Sequence, residues 1–583
     1  MVLPLAVIGM TGLLFSLDDE KYIKPYCPVR MLHVFILIIS GLILTGHRVF
    51  SQTVLTTDSS SEHQKIFYSV DSGVYMLDSL TVTLTAPEGC TVAFTTNGKE
   101  PSSGDDSGLS ETEVVLGKQG SGYLIDHRDL LTYPDLSFSF LLDDPSLPSA
   151  NILRAASVSP AGELGKTETK IYFLNVDFQR LFPDCLVISI VTDPENLLDY
   201  DKGILTPGAI YDAWRQTEDG QGDISQGDAG RIQSNITQHG KAWERPCILQ
   251  IFDGNSTPAA ELNAGIRITG GNSRAMNQKS FNLYFRESYG SRFLNYELFP
   301  GISRYKSFRL RNGGNNTDWL KFKEAFLTDL VADRDLTISA SRKAVLFLNG
   351  EYWGPYLLTE KLSGQMLRDH YGVEKKQVVL FKEGQLEDGI EEDNTLYWKL
   401  MAFAEKDLSD PDIWQDFKRI MDIRSMADYF AVRIYFGDAD WNQWHNDVIW
   451  RTRDQSYNEG RWQYILYDVE FSSGLYGMEN TAPETDHFRQ ACNNYPLFTA
   501  ALRNREFYSL FLDSLREIAT VNCDIERVES LLTAYVNEWK PLMPDYYKRF
   551  GNCRSQWDAA ISKTIDFFRN RYFYILPFVK NFK

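Results

Sequence analysis

The chain has 583 residues, too many for one hydrophobic core, so two or more domains are expected. At 43% hydrophobic and 23% charged it is ordinary globular material. A formal charge of −19, from 59 basic and 78 acidic residues, argues against a nucleic-acid partner and leaves no polybasic patch for anionic lipid.

The N-terminus reads as an address. Leu32 to Gly46 form an apolar run too short to span a bilayer comfortably, and Val49 and Ser51 supply the small residues that precede a cleavage before Gln52. Residues 1–51 are therefore expected to be a leader, and the mature chain periplasmic, cell-surface or extracellular. A second apolar run, Val2 to Phe15, lies upstream of Lys21, Lys24 and Arg30. Two readings stand: translation from Met31, or a membrane anchor built from both runs. Without Cys27 the chain keeps Cys90, Cys185, Cys247, Cys492, Cys523 and Cys553, an even count without zinc-type spacing. Cys523 and Cys553 are placed to bridge two C-terminal helices; six buried thiols are the alternative.

Residues 52–65 are a polar linker. Residues 66–176 read as an all-β, immunoglobulin-like sandwich: Ser79 to Thr85 alternates, Thr91 to Gly98 ends in a hairpin-type turn, and Ile152 to Val158 precedes the strand Thr167 to Leu174. The piece Thr95 to Pro101, taken with Ile152 to Val158, resembles the small sandwich that forms the C-terminal domain of chitobiases and β-hexosaminidases. That resemblance implies an accessory module for spacing or adhesion, with carbohydrate or cell-surface contact as the alternative.

From residue 178 to 583 the composition turns mixed, and an α+β domain is expected. Strands are predicted at Cys185 to Val191, Pro246 to Phe252, Ala264 to Thr269 and Ser280 to Phe285. Gly270-Gly271 with Lys279 offers backbone amides and a point charge to a phosphate, although such a pair is more often a plain turn. Phe308 to Arg311 alternates, which puts Arg309 and Arg311 on one face, where a guanidinium fork suits phosphate oxygens. Asp318 is the expected N-cap of a helix with a stripe at Leu320, Ala325, Phe326, Leu327, Leu330 and Val331. Glu324 on that helix is the carboxylate a kinase would pair with its phosphate cation. A hairpin turns at Asn349-Gly350 and leads to Glu360-Lys361. Ser425 is expected to cap the helix Met426 to Phe436. Four helices follow the last strand, and Phe567, Phe568, Tyr572, Phe573 and Tyr574 are expected in their core.

Asp438 to Asp468 carries the chemistry. A hairpin, Val448 to Trp450 with Trp462 to Leu466, sets Asn446 at one strand's start beside Asp468 at the other's end, with Asp440 on the loop before them. An Asp to take the acceptor's proton, followed by an Asn and a second Asp for a divalent ion, is the order of groups that phosphoryl transfer needs. The same letters taken singly are common in surface loops.

Asp440-Trp441, Asn446, Trp450-Arg451 and Trp462 to Asp468 resemble the core signature of the CotH kinases, atypical secretory kinases named after a spore coat protein. Val191 to Leu197, Trp243 to Pro246, Gly270 to Arg274 with Gln278 to Phe281, and Asn349 to Gly354 extend the likeness. It implies an atypical protein-kinase-like domain that transfers the γ-phosphoryl of ATP to protein Ser/Thr hydroxyls with Mg2+ or Mn2+. Asp440 would be catalytic; Asn446 and Asp468 would hold the metal; Lys279, Arg309 and Arg311 would hold phosphate; Trp462 would stack on adenine. Many members carry Asp two residues beyond the metal ligand, where this chain has the longer Glu470. The Asp440 to Asn446 segment is one residue longer than usual, which leaves Asp438 as a rival catalytic carboxylate. The competing classes are a non-catalytic envelope or spore-coat-like protein that keeps the fold, and a carbohydrate-processing enzyme.

Overall fold

Alternation builds the first layer. In the computed structural model, which describes residues 65–118, 122–131, 133, 141–222, 231–551 and 554–580, Val82 and Leu84 are fully buried while Ser79 and Thr81 on the same run face solvent. The expected leader and the pairing partner Cys553 lie outside the described residues. Seven strands form this layer: β1 (Phe67–Tyr68), β2 (Gly73–Tyr75), β3 (Ser79–Thr85), β4 (Thr91–Thr95), β5 (Glu111–Gly117), β6 (Asn151–Val158) and β7 (Glu168–Leu174). One sheet runs β1-β3-β5 and the other β2-β7-β6-β4. Val82, Leu84, Val92, Leu153 and Tyr172 share the core they enclose.

The second layer is a closed barrel of β8 (Leu186–Val191), β9 (Arg245–Phe252), β10 (Ala260–Thr269), β11 (Ser280–Tyr284), β14 (Ser307–Arg311), β16 (Ser341–Leu348) and β17 (Glu351–Glu360). Between β11 and β14 the hairpin β12 (Leu294–Phe299) and β13 (Ile302–Tyr305) forms its own two-stranded sheet. The barrel order is β10-β11-β14-β17-β16-β8-β9, antiparallel except where β8 meets β16. Closure leaves no free edge. It also separates two faces along every strand: Phe308 and Leu310 of β14 are fully buried in the main core, so Arg309 and Arg311 point the other way.

A five-stranded sheet follows in the order β15 (Thr337–Ile338), β21 (Gln463–Leu466), β20 (Val448–Thr452), β18 (Val378–Lys382) and β19 (Gln385–Asp388). Helix α1 (Lys323–Leu330) packs between barrel and sheet, and α2 (Ile423–Phe436) is buried from Ser425 to Phe436. Six helices close the chain: α3 (His487–Asn494), α4 (Pro496–Leu502), α5 (Arg505–Glu517), α6 (Ile525–Trp539), α7 (Met543–Phe550) and α8 (Arg554–Lys580).

Two helix starts differ from expectation. Asp318 does not cap α1, which begins five residues later, because the turn at Gly313 and Gly314 runs on through Asn316 and Asp318 accepts instead from the Tyr546 hydroxyl at 2.9 Å. Asp422, not Ser425, caps α2 by accepting from the amides of Arg424 and Ser425. Ser425 sits one turn in, where its hydroxyl accepts from the Tyr464 amide at 3.0 Å.

Residues 54–583 form one compact unit. Phe173 of β7 packs edge-on to Phe252 and Phe347 of the barrel at 5.5 and 4.9 Å between ring centroids. The outer apolar face of β8, β9 and β16 is therefore covered by the first layer.

Candidate active site

The β20–β21 hairpin carries the centre of the site. Its register pairs Ile449 with Tyr464 and Trp450 with Gln463, and extending that register sets Asn446 opposite Tyr467, beside Asp468. Both Asn446 and Asp468 adopt left-handed backbone, φ 55° and 56°, a conformation that Asn and Asp tolerate better than most residues. Arg433, fully buried on α2, fixes both turns. One guanidinium nitrogen donates to the carbonyls of Asn446, at 2.9 Å, and Tyr467, while the other pairs with Asp438.

Asp438 and Asp440 thereby divide. The Asp438 side chain is shut away from solvent, accepts from the Asp440 amide at 3.2 Å, and is pushed up to about 6 by burial against the pull of Arg433. It is a brace for the loop. Asp440 is half-exposed, with its carboxylate 3.2 Å from His445 Nε2 and its carbonyl accepting from the Asn446 side chain at 2.8 Å. Of the two rivals, Asp440 is the one an acceptor can reach.

Arg311 gathers three carboxylates. Its guanidinium lies 3.1 Å from Glu324 of α1 and 3.0 Å from Asp468, and contacts Glu470. Glu324 also accepts from the Asp468 amide at 3.0 Å. Burial raises both carboxyls of the Asp468–Glu470 pair. For Asp468, Arg311 and a hydrogen bond from Glu470 outweigh it and hold the group below the ordinary carboxylate range. Glu470 is left well above that range and keeps the proton. Arg311 thus pairs with a helix carboxylate, Glu324, as well as with Asp468, and Asp468 is held ionised.

A shallow open cleft runs beside this cluster, lined by Arg309, Arg311, Leu357, Thr359, Ile338 and Tyr467. Its far end reaches Glu360 and Leu362, the connection from β17 toward the five-stranded sheet.

Two expected ligands are not brought here. Lys279 extends the inward-facing row of Phe281 and Leu283 rather than the face of Arg309 and Arg311; its ammonium donates to the Met276 carbonyl at 2.6 Å, and burial lowers it to about 7. Trp462 is fully buried and packs on Phe381 and Tyr397 at 5.9 and 6.4 Å, away from the cleft, because it bridges to Met421 under the sheet. Neither is a wall of the site. Two residues that sequence reasoning passed over do contribute. Arg433 is the one cation in the apolar run Tyr429 to Phe436, a signal visible in the letters. Lys323, buried at the start of α1, donates to the carbonyls of Ser472 and Ser473 at 2.6 and 3.2 Å and pins the segment that follows Glu470; nothing in its local pattern marked it.

Among the described residues no group of three or more His, Cys, Asp or Glu side chains could hold a metal by itself. The donors at the hairpin are one carboxylate, Asp468, and one amide, Asn446. That set suits Mg2+, which is held by one or two protein oxygens with substrate phosphates and water completing the shell. Glu470 is engaged by Arg311 and by Asp468.

No curated protein matches the chain. Residues 266–575 match the family described as CotH kinase protein, a span that holds β11, Arg311, Glu324, the Asp438–Asn446 loop, Asp468 and most of the C-terminal helices. Since that match covers more than half of the sequence, the chain belongs to the CotH kinase family.

Proposed function

We propose that the chain is an exported atypical kinase that transfers the γ-phosphoryl of ATP to Ser or Thr hydroxyls of a protein, with Mg2+ or Mn2+. One observation carries this reading: the hairpin corner that sets Asn446 beside Asp468 is tied, through Arg311 at 3.0 Å from Asp468, to the cleft that Arg309 and Arg311 line, with the exposed Asp440 on the adjoining loop. Asp440 accepts the acceptor's proton as its oxygen bonds to the γ-phosphorus and the bond to the bridging oxygen breaks. Arg309 faces the departing polyphosphate. Arg311, held by Glu324, fixes Asp468 from behind. A bound Mg2+, held by Asn446 and Asp468, would neutralise charge on the phosphoryl oxygens.

Residues 66–176 are read as an immunoglobulin-like accessory sandwich of the chitobiase type, serving for spacing or surface contact, and the two-sheet core supports that reading. Export rests on the leader. Among the described residues no helix is long and apolar enough to cross a membrane.

Thermal melts with ATP and Mg2+ test the assignment, since a ligand that binds only the native state raises the transition. Wild-type protein is expected to shift and to label a protein acceptor. Asp468→Asn is expected to lose the Mg2+-dependent shift. Asp440→Asn is expected to keep the shift and lose transfer by about 10²–10⁴-fold, the contribution of a general base. The reverse pattern would overturn the roles, and no nucleotide shift in wild type would overturn the reading.

A further inference from the structure

The outer face of the barrel carries a row of polar residues at one level across four strands. Register pairs Arg267 of β10 with Asn282 of β11, Asn282 with Arg309 of β14, and Arg309 with Thr359 of β17. Paired residues on neighbouring strands share a face, so all four side chains lie on the outer side of the barrel, where Arg309 and Thr359 line the cleft. They are also tied together. Arg309 Nε donates to Asn282 Oδ1 at 3.2 Å, Asn282 Nδ2 donates to the Tyr284 hydroxyl at 3.1 Å, and Arg267 donates to the same hydroxyl while lying over the Tyr284 ring at 4.8 Å.

The charge of this row is unbalanced. Among the described residues neither Arg267 nor Arg309 contacts a carboxylate, in a chain whose formal charge is −19. Lys361 and Lys382 are each paired with a carboxylate, Glu387 at 3.5 Å and Glu383 at 3.6 Å, so the uncompensated charge here rests on Arg267 and Arg309. Two oriented guanidiniums, held by neutral partners and set two strands apart, are about 10 Å from one another at the backbone. That spacing is on the order of a short polyphosphate chain, and it begins at Arg309, which lines the cleft together with Thr359 and Leu357.

We propose that Arg267, Asn282 and Arg309 form the cradle that grips the polyphosphate of the nucleotide, with Arg267 a phosphate ligand in the place a strand lysine would take. The proposal rests on the kinase reading above and adds the residues that select for phosphate number. Preformed forks replace the glycine-rich loop, which the sequence lacks: the Gly270-Gly271 turn leads into a short 3-10 helix whose Arg274 is spent on the carbonyls of Gly270 and Ile236.

Calorimetric titration with Mg2+ and ATP, ADP or AMP tests it on the full chain. In wild type, affinity is expected to climb with each phosphate. Arg267→Gln and Arg309→Gln are each expected to weaken ATP about tenfold, the loss of one charge-assisted hydrogen bond, while AMP stays within about twofold. Arg292→Gln, which removes the same charge from an exposed site outside the row, is expected to leave all three unchanged. Equal losses for ATP and AMP, no loss for ATP, or an equal loss in Arg292→Gln would each overturn the cradle while leaving the kinase reading in place. Absence of any nucleotide binding in wild type would overturn both.

Discussion

Arg311 shows how one side chain can set the protonation of a site. It is buried among Glu324, Asp468 and Glu470, and three carboxyls cannot all ionise around a single guanidinium. The proton stays on Glu470, which leaves Asp468 charged and next to Asn446. Close packing under this knot depends on Gly314, whose φ is +55°; a Cβ there would lie 2.2 Å from a Glu470 oxygen and 3.2 Å from Arg311. Gly314→Ala is therefore expected to cost about 1–3 kcal/mol, from left-handed strain alone, and to displace Arg311 from Asp468. Urea denaturation reads the first effect, and a weaker Mg2+-ATP shift in thermal melts reads the second. Unchanged stability would mean the turn relaxes and the knot is not tight.

At the scale of an element, α2 matters because it brings a buried cation under a hairpin it does not precede directly. Arg433 is satisfied by Asp438, Asn446 and Tyr467 together, and its guanidinium lies over the Tyr429 ring at 5.0 Å. Lysine carries the charge but not the planar fork. Arg433→Lys is expected to fold with reduced stability and to need about 10–100-fold more Mg2+ for half-maximal nucleotide stabilisation, as when outer-sphere support of a metal ligand is lost. A lower melting temperature with an unchanged Mg2+ requirement would reduce Arg433 to a structural role. The last helix teaches a simpler lesson about periodicity. Phe567, Phe568, Ile575 and Val579 of α8 are buried, whereas Tyr572, Phe573 and Tyr574 are 40, 69 and 43% exposed, contrary to expectation. An aromatic cluster in sequence cannot all face inward from a helix that turns 100° per residue.

For the whole molecule, the shared core between the first layer and the barrel predicts coupled unfolding. Phe173→Ala removes a fully buried ring that touches Phe178, Phe252 and Phe347 and is expected to cost about 3–5 kcal/mol. Both layers are expected to melt in one transition that moves as a unit; separate transitions, with only the first layer destabilised, would show that the packing is incidental. Stability is also expected to rise from pH 7 to about 8, below the ordinary thiol pKa of about 8.5. Burial lowers Lys279, Lys321 and Lys323 to about 7, far below their unfolded value of 10.5. Through that window the unfolded chain binds more protons than the folded one, so raising pH favours the folded state. Asp438 and Asp447, raised to about 6 and 7 by burial, act mainly below it. Guanidinium midpoints across this range check the sign, and a fall would mean the three lysines stay charged by pairing.

What was legible in the letters was local. Period-two runs such as Ser79 to Thr85 and Phe308 to Arg311 marked their strands because alternation is imposed by burial on one face, and the hairpin around Val448 and Leu466 followed from the same rule. The order Asp440, Asn446, Asp468 was visible because short connections keep those groups near one another in the chain. Barrel closure was not, since β8 meets β16 across more than 150 residues and pairing at that distance leaves no local trace. Closure in turn decided which face each cation took. Lys279 turned to the interior while Arg309 turned to the cleft, so the cation that faces the cleft was chosen by strand register, a property of the assembled sheet that no single segment contains.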